Sequence, residues 1–209
     1  MNILIIGNTA GLTNDFILRT FPNQAVFIFG HTGVKNSRKN KITVYTKRYE
    51  NDQLEDIFEF HDYDQIIYLS EYLNYGHESS GEIENLIRLL KCLQEKINTR
   101  LLYITGPILQ GGTRSLQTTT KETFRSWAKE FGMNFKVLHS PFLYSLINKE
   151  DYLFKLFERM DDHEQVELKE SSQSQATFIS LSDLGDLLHK LCERWSDKYE
   201  SIVIPDPFQ

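Results

Sequence analysis

The chain is short of cysteine, of long apolar runs and of net positive charge. Its only cysteines are Cys92 and Cys192. Each falls in an apolar-periodic stretch, with no CxxC pair and no histidine at zinc spacing. A disulfide framework and a structural zinc are therefore not expected, and a reducing, cytoplasmic setting is. No apolar run approaches the ~18 residues that cross a bilayer. Met1-Asn2 has no basic n-region and the apolar run 3–6 is too short for an h-region, so neither a secretory leader nor a membrane partner is expected. Lys and Arg number 23 against 29 Asp and Glu, a formal charge of −6, which disfavours a general nucleic-acid binder. The chain also lacks a Gly-x-Ser-x-Gly elbow, a Walker lysine and an internal repeat, which removes α/β-hydrolase, phosphate-loop and solenoid readings.

What remains is a globular mixture, 40% hydrophobic and 25% charged over 209 residues. That is enough to bury a core without staples. Short β-rich apolar runs recur at 3–6, 25–29, 42–45, 65–69, 101–104 and 135–138. Continuous runs of this length mark strands covered on both faces of a parallel sheet. Helical periodicity lies between them. Residues 14–20 make a first helix, stopped before Pro22. Ile83, Leu86, Ile87, Leu90 and Leu93 share one face of another; Phe124, Trp127, Ala128 and Phe131 repeat the pattern, with Gly132 as a C-cap. The alternation specifies an α/β fold, a doubly wound parallel sheet of Rossmann-like type over residues 1–145. Residues 146–209 are expected to form a small C-terminal cap on the same domain. It would hold a helix over 150–160, a short apolar piece at 178–180, an amphipathic helix over 183–195 and a last strand at 202–204.

The first strand runs into Gly7-Asn8-Thr9-Ala10-Gly11-Leu12-Thr13, and a helix follows. Glycine permits the tight turn and lets the backbone approach a pyrophosphate, which the helix N-terminus also attracts. The spacing is Gly-x-x-x-Gly; a third glycine near Thr13 is missing, and Thr13 either bonds a phosphate or caps the helix. A tight turn with no ligand is the plain alternative, but the place directly after the first strand favours a dinucleotide. The second strand ends in Gly30-His31-Thr32-Gly33 and offers no carboxylate to the ribose hydroxyls of NAD. Lys35, Arg38, Lys39 and Lys41 come next. That loop is either a solvated surface or a receptor for the 2′-phosphate of NADP. The expected cofactor is thus NAD(P), leaning to NADP.

These residues resemble the short-chain dehydrogenase/reductase superfamily, nearest the extended branch of nucleotide-sugar epimerases and dehydratases. Residues 1–11 resemble its opening strand and glycine turn. Asp64-Gln65-Ile66-Ile67-Tyr68-Leu69-Ser70 resembles its fourth strand and the start of the loop flanking the cofactor. Residues 82–93 resemble the long helix that follows, 101–106 the fifth strand, and 177–185 the segment late in the extended branch. The resemblance implies cofactor contacts at Gly7, Asn8, Thr9, Ala10, Gly11, Leu12, His31, Thr32, Leu69, Ser70 and Lys121.

The catalytic signature departs from that family. Its members use Tyr-x-x-x-Lys on the helix after the fifth strand, the tyrosine moving the proton, the lysine lowering its pKa and holding the ribose, and a Ser/Thr polarising the substrate oxygen. Lys121 is placed to be that lysine; an exposed helix lysine is the alternative. Gln117 stands where the tyrosine belongs, and an amide has no proton to give at a useful pKa. The Ser/Thr position maps to Thr105 or to Gly106. Tyr75 and Tyr144 are candidates for a relocated proton donor, and Tyr72 lies close to the first. Asp161-Asp162-His163-Glu164 reads as a solvated helix end rather than a metal site, and His139 as structural.

Two readings of function follow from the resemblance, and a third drops the nucleotide and leaves a protein-interaction module. The favoured one is a dinucleotide-binding sensor, scaffold or partner subunit whose catalytic motif has decayed. The alternative is an active NAD(P)-dependent epimerase, dehydratase or reductase acting on a nucleotide sugar. Residues 82–95 and 119–131 resemble the family's dimer surface, so a homodimer is expected. The chain is shorter than extended members usually are, as a compact version or a piece of a larger protein would be.

Overall fold

A computed structural model describes residues 1–30, 32–45, 53–70, 80–94, 96, 98–106, 126–127, 129–130, 132–144, 158–161, 178–196 and 200–204. The described elements run β1 (Asn2–Gly7), α1 (Asn14–Thr20), β2 (Ala25–Phe29), β3 (Ile42–Tyr45), α2 (Gln53–Phe60), β4 (Gln65–Leu69), α3 (Ser80–Leu93), β5 (Arg100–Thr105), β6 (Asn134–His139), β7 (Phe142–Tyr144), β8 (Phe178–Ser180), α4 (Leu181–Glu193) and β9 (Glu200–Val203). Seven strands form one sheet in the order β3-β2-β1-β4-β5-β6-β9. Every neighbouring pair is parallel. This is the doubly wound order, and its direction reverses between β1 and β4. Strands β7 and β8 form a separate parallel pair.

Strand side chains alternate between two cores because each strand is covered on both faces. Ile3, Ile5, Ile67, Leu102, Ile104 and Leu138 pack with Phe16 and Ile17 of α1 and Leu184 and Leu188 of α4. Leu4, Ile6, Ile66, Tyr68, Tyr103 and Val137 pack with Ile57 and Phe58 of α2 and Leu86, Leu89 and Leu90 of α3. Full burial of one such side chain is worth about 1.5–3 kcal/mol. Thr13 caps α1, its Oγ1 accepting the Phe16 N–H at 3.2 Å. Gly132 has φ +63, the left-handed conformation of a helix C-cap. Helix α2 has no counterpart in the sequence reading. Among the described residues, no helix is long and apolar enough to cross a membrane.

The C-terminal residues do more than cap the sheet. Strand β9 extends the main sheet beside β6, and α4 lies against α1. The helices touch at Gly185, where a Cβ would lie 2.6 Å from Thr20 Oγ1 and 3.0 Å from the Phe16 ring. A polar latch at the N-terminal edge of the sheet secures β9. Lys136 on β6, only 2% exposed, donates to Glu200 Oε2 at 2.6 Å and to Ser196 Oγ at 2.7 Å. Its ammonium also sits 5.1 Å from the Trp195 ring centre, whose Nε1–H donates to Asn134 Oδ1 at 2.6 Å. A buried ammonium is tolerated only when paired in this way.

Glu200→Ala should therefore cost about 2 kcal/mol by stranding the Lys136 charge, whereas Lys136→Met, which removes charge and desolvation together, should cost less than ~1 kcal/mol. Denaturant midpoints of the two variants check the ranking. Burial also pushes the Cys192 thiol up from 9.0 to about 12 and raises the Tyr63 phenol. Above pH 9 the unfolded thiol loses its proton and the folded one keeps it, so stability is lost as pH rises toward 12. The urea midpoint at pH 10.5 should fall below that at pH 8, and by less in Cys192→Ala.

Candidate functional site

The candidate crevice lies at the C-terminal edge of the sheet, where strand order reverses between β1 and β4. Gly7 ends β1 at φ +91 and lies so close to β4 that a Cβ would fall on the Leu69 carbonyl oxygen. Only glycine fits. The Asn8 N–H donates to that same carbonyl at 2.8 Å, and the Leu12 N–H closes the turn on the Thr9 carbonyl at 3.1 Å. Among the described residues, the N–H groups of Ala10 and Gly11 donate to nothing. Thr9 is buried, with Gly30 at the end of β2 pressed on it: a Cβ on Gly30 would sit 2.8 Å from Thr9 Oγ1. Thr13 is thus a helix cap, one of the two roles its position allowed.

A polar row crosses the same edge. The ladder pairs Gly7 with Leu69, Leu69 with Ile104, and Thr105 with His139. One step beyond places Asn8, Ser70, Thr105 and His139 side by side, on the face that α3 covers. Ser70, Thr105 and the neighbouring Ser140 are fully buried. Ser70 N–H donates to the Ile104 carbonyl at 2.9 Å and Ser140 N–H to the Thr105 carbonyl at 2.8 Å. His139 Nε2 lies 3.2 Å from Ser201 Oγ. Along this edge Asn8 Nδ2 and Ser140 Oγ are buried without a hydrogen-bond partner among the described residues. Each such atom costs about 1–3 kcal/mol until something bonds it.

Of the expected site residues, the structure brings Gly7, Asn8, Thr9, Ala10, Gly11, Leu12, Leu69, Ser70 and Thr105 to this edge. Gly106, the alternative register for the Ser/Thr, is also buried there. Thr32 is on the segment leaving β2, where its Oγ1 accepts the Val34 N–H at 3.2 Å. His31, Tyr72, Tyr75, Gln117 and Lys121 lie outside the described residues. Tyr144 is placed elsewhere than the sequence suggested. It lines a cavity of about 340 Å³ between α1 and α4, with Thr13, Phe16, Arg19, Ser180 and Asp186, against the face opposite Thr105.

The basic loop after β2 is corrected in part. Ser37 and Ile42 exchange backbone hydrogen bonds at 2.9 Å, so residues 38–41 turn at the start of β3. Arg38, Lys39 and Lys41 therefore sit at the N-terminal edge, at least ~10 Å of strand rise from the crevice. Lys35 alone stays near it. Its N–H donates to Asn14 Oδ1 at 2.9 Å and its carbonyl accepts from Asn14 Nδ2 at 3.1 Å. This contact was not foreseen; Gly30 and Gly33, three apart, were its sequence signal, since both press on the glycine turn.

The fold and this edge define a Rossmann-like protein of the doubly wound class. No family model matches the chain, and no curated protein is similar to it in sequence. Solved structures are similar in fold. A dTDP-glucose 4,6-dehydratase from Bacillus anthracis in complex with NAD superposes with a TM-score of 0.70 at 12% identity, over 97% of this chain and 75% of that one. An ADP-L-glycero-D-manno-heptose-6-epimerase from Helicobacter pylori gives 0.67 at 13% identity, over 96% and 76%. A UDP-glucose 4-epimerase from Thermus thermophilus in complex with NAD gives 0.62 at 10%, over 97% and 77%. The chain has the fold of the NAD-dependent epimerases and dehydratases, the extended short-chain branch that its motifs resemble.

Gly7→Ala should destabilise the protein by at least ~2 kcal/mol, since the new methyl meets the Leu69 carbonyl and the backbone is left-handed. Calorimetric unfolding measures the loss, and Gly132→Ala, whose added Cβ has no atom within 4 Å, should lose less.

Proposed function

We propose that the chain binds a nicotinamide dinucleotide across the β1–β4 crevice and works as a nucleotide-dependent sensor or partner subunit. The observation that carries the binding reading is the pair of bare amides at Ala10 and Gly11, at the point where strand order reverses. Backbone N–H groups exposed beside a strand C-terminus suit a diphosphate. Gly7 leaves room for the backbone to come close. Asn8 Nδ2 and Ser140 Oγ are buried polar atoms that a ligand lying along the edge would satisfy. When bound, the dinucleotide would supply hydride transfer; this chain's part is to hold the diphosphate at residues 8–12 and the nicotinamide half near Ser70 and Thr105. His31 and Thr32 would flank the adenosine, and Lys121 the nicotinamide ribose. Among the four cations after β2, Lys35 is the one held to the start of α1 by Asn14, which supports the lean to NADP.

The silent-catalyst reading rests on Gln117, four residues before Lys121. One observation favours the active alternative: Thr105 is fully buried at the end of β5, where a hydroxyl could polarise a substrate oxygen. That enzyme would act on a nucleotide sugar with a displaced proton donor such as Tyr75. The partner in either case includes a second copy, through α3 and residues 119–131, in a cytoplasmic setting.

Calorimetric titration with NADH and NADPH should give a Kd below about 1 mM for at least one of them, and Gly11→Val should weaken it at least tenfold. Absence of binding at millimolar ligand would remove the dinucleotide. Nucleotide-sugar turnover by the wild type, lost in Thr105→Val and Lys121→Ala, would replace the sensor reading with the enzyme.

A further inference from the structure

We propose that Asn14 is a positioning residue that sets a preference for NADPH over NADH, by clasping the segment after β2 to the start of α1 and so fixing Lys35 at the adenosine end of the crevice. The proposal rests on the dinucleotide reading above.

The segment leaving β2 follows the glycine turn in constant step. Gly30 lies against Thr9, Gly33 against the Leu12 carbonyl, and Lys35 against Asn14. Each pair is 21 positions apart. At Gly33 an added Cβ would come within 3.3 Å of the Leu12 oxygen, so the two stretches touch with no side chain between them. Asn14 then binds both backbone groups of Lys35, accepting its N–H at 2.9 Å and donating to its carbonyl at 3.1 Å. Thr13, not Asn14, caps the helix, so the Asn14 amide is left to make this pairing. Val34, 5% exposed, anchors the segment from below.

Beyond Lys35 the chain leaves the crevice. Asn36 Oδ1 accepts the Val44 N–H at 2.7 Å, and Ser37 pairs with Ile42. Lys35 is therefore the last cation before the descent. It is exposed and forms no ion pair among the described residues. Residues 29–37 hold no carboxylate, so nothing there would repel a phosphate or replace it at the ribose hydroxyls. A lone lysine on a free loop would pay chain entropy to meet an anion; one whose backbone is held at both polar groups does not.

The test compares wild type, Asn14→Ala, Lys35→Ala and Lys39→Ala by calorimetric titration with both cofactors. One charge-assisted contact predicts about tenfold tighter binding of NADPH than NADH in wild type, and a ratio near one in Lys35→Ala. Asn14→Ala should cut the ratio severalfold while leaving the NADH Kd within about twofold. Lys39→Ala, at the far edge, should change neither. A merely structural role for Asn14 would weaken both cofactors alike, and that result overturns the proposal, as does a ratio unmoved by Lys35→Ala. Equal wild-type affinities for the two cofactors defeat the clasp but not the dinucleotide site; no binding of either defeats both.

Discussion

The close approach of Gly7 to the Leu69 carbonyl governs the geometry around it. At the last step of the β1–β4 ladder the Gly7 backbone turns so that a side chain there would meet the β4 carbonyl. The backbone leaves β1 at a positive φ, the Asn8 amide is taken by the same carbonyl, and the following turn must lie over the edge of the sheet. Amides that a helix or strand would have consumed stay open at Ala10 and Gly11. The feature that makes the crevice fit an anion is thus a by-product of packing, enforced by a residue with no side chain.

The same device recurs on the neighbouring strand. Gly30 and Gly33 let the segment after β2 run against the turn, and Asn14 locks it there. This side-by-side path also separates charge. Lys35 stays at the C-terminal edge, while Arg38, Lys39 and Lys41 are carried to the other end by the pairing of Ser37 with Ile42. At that far edge the chemistry is structural: the Lys136, Glu200 and Trp195 latch holds β9 in the sheet, and α4 braces α1 at Gly185. At the opposite edge, Asn8 Nδ2 and Ser140 Oγ stay without a hydrogen-bond partner among the described residues.

Much of the fold was legible because it follows local rules. Continuous apolar runs at 25–29, 42–45 and 65–69 coincide with β2, β3 and β4, and Asn14–Thr20 is the first helix as read. The runs are strands for the reason expected: both faces are covered. The glycine turn was equally legible, since a glycine directly after the first strand marks a tight bend of the backbone. Helix α2 escaped notice, and the C-terminal strand was assigned to a cap. An apolar triplet such as 202–204 carries no mark of which sheet it joins; its ladder with β6, where the buried Lys136 meets Glu200, exists only in the assembled sheet.

The amino-acid sequence alone determined the order of elements, the parallel sheet they demand and the place of the glycine turn, because periodicity and glycine act over a few residues. Tertiary structure decided which side chains share that turn. It removed Tyr144 to the groove between α1 and α4, left one of four cations beside the crevice, and aligned Asn8, Ser70, Thr105 and His139 across four strands. Those relations join residues up to 131 positions apart from Asn8 to His139, and strand register, which sets them, is a property of the assembled sheet rather than of any segment.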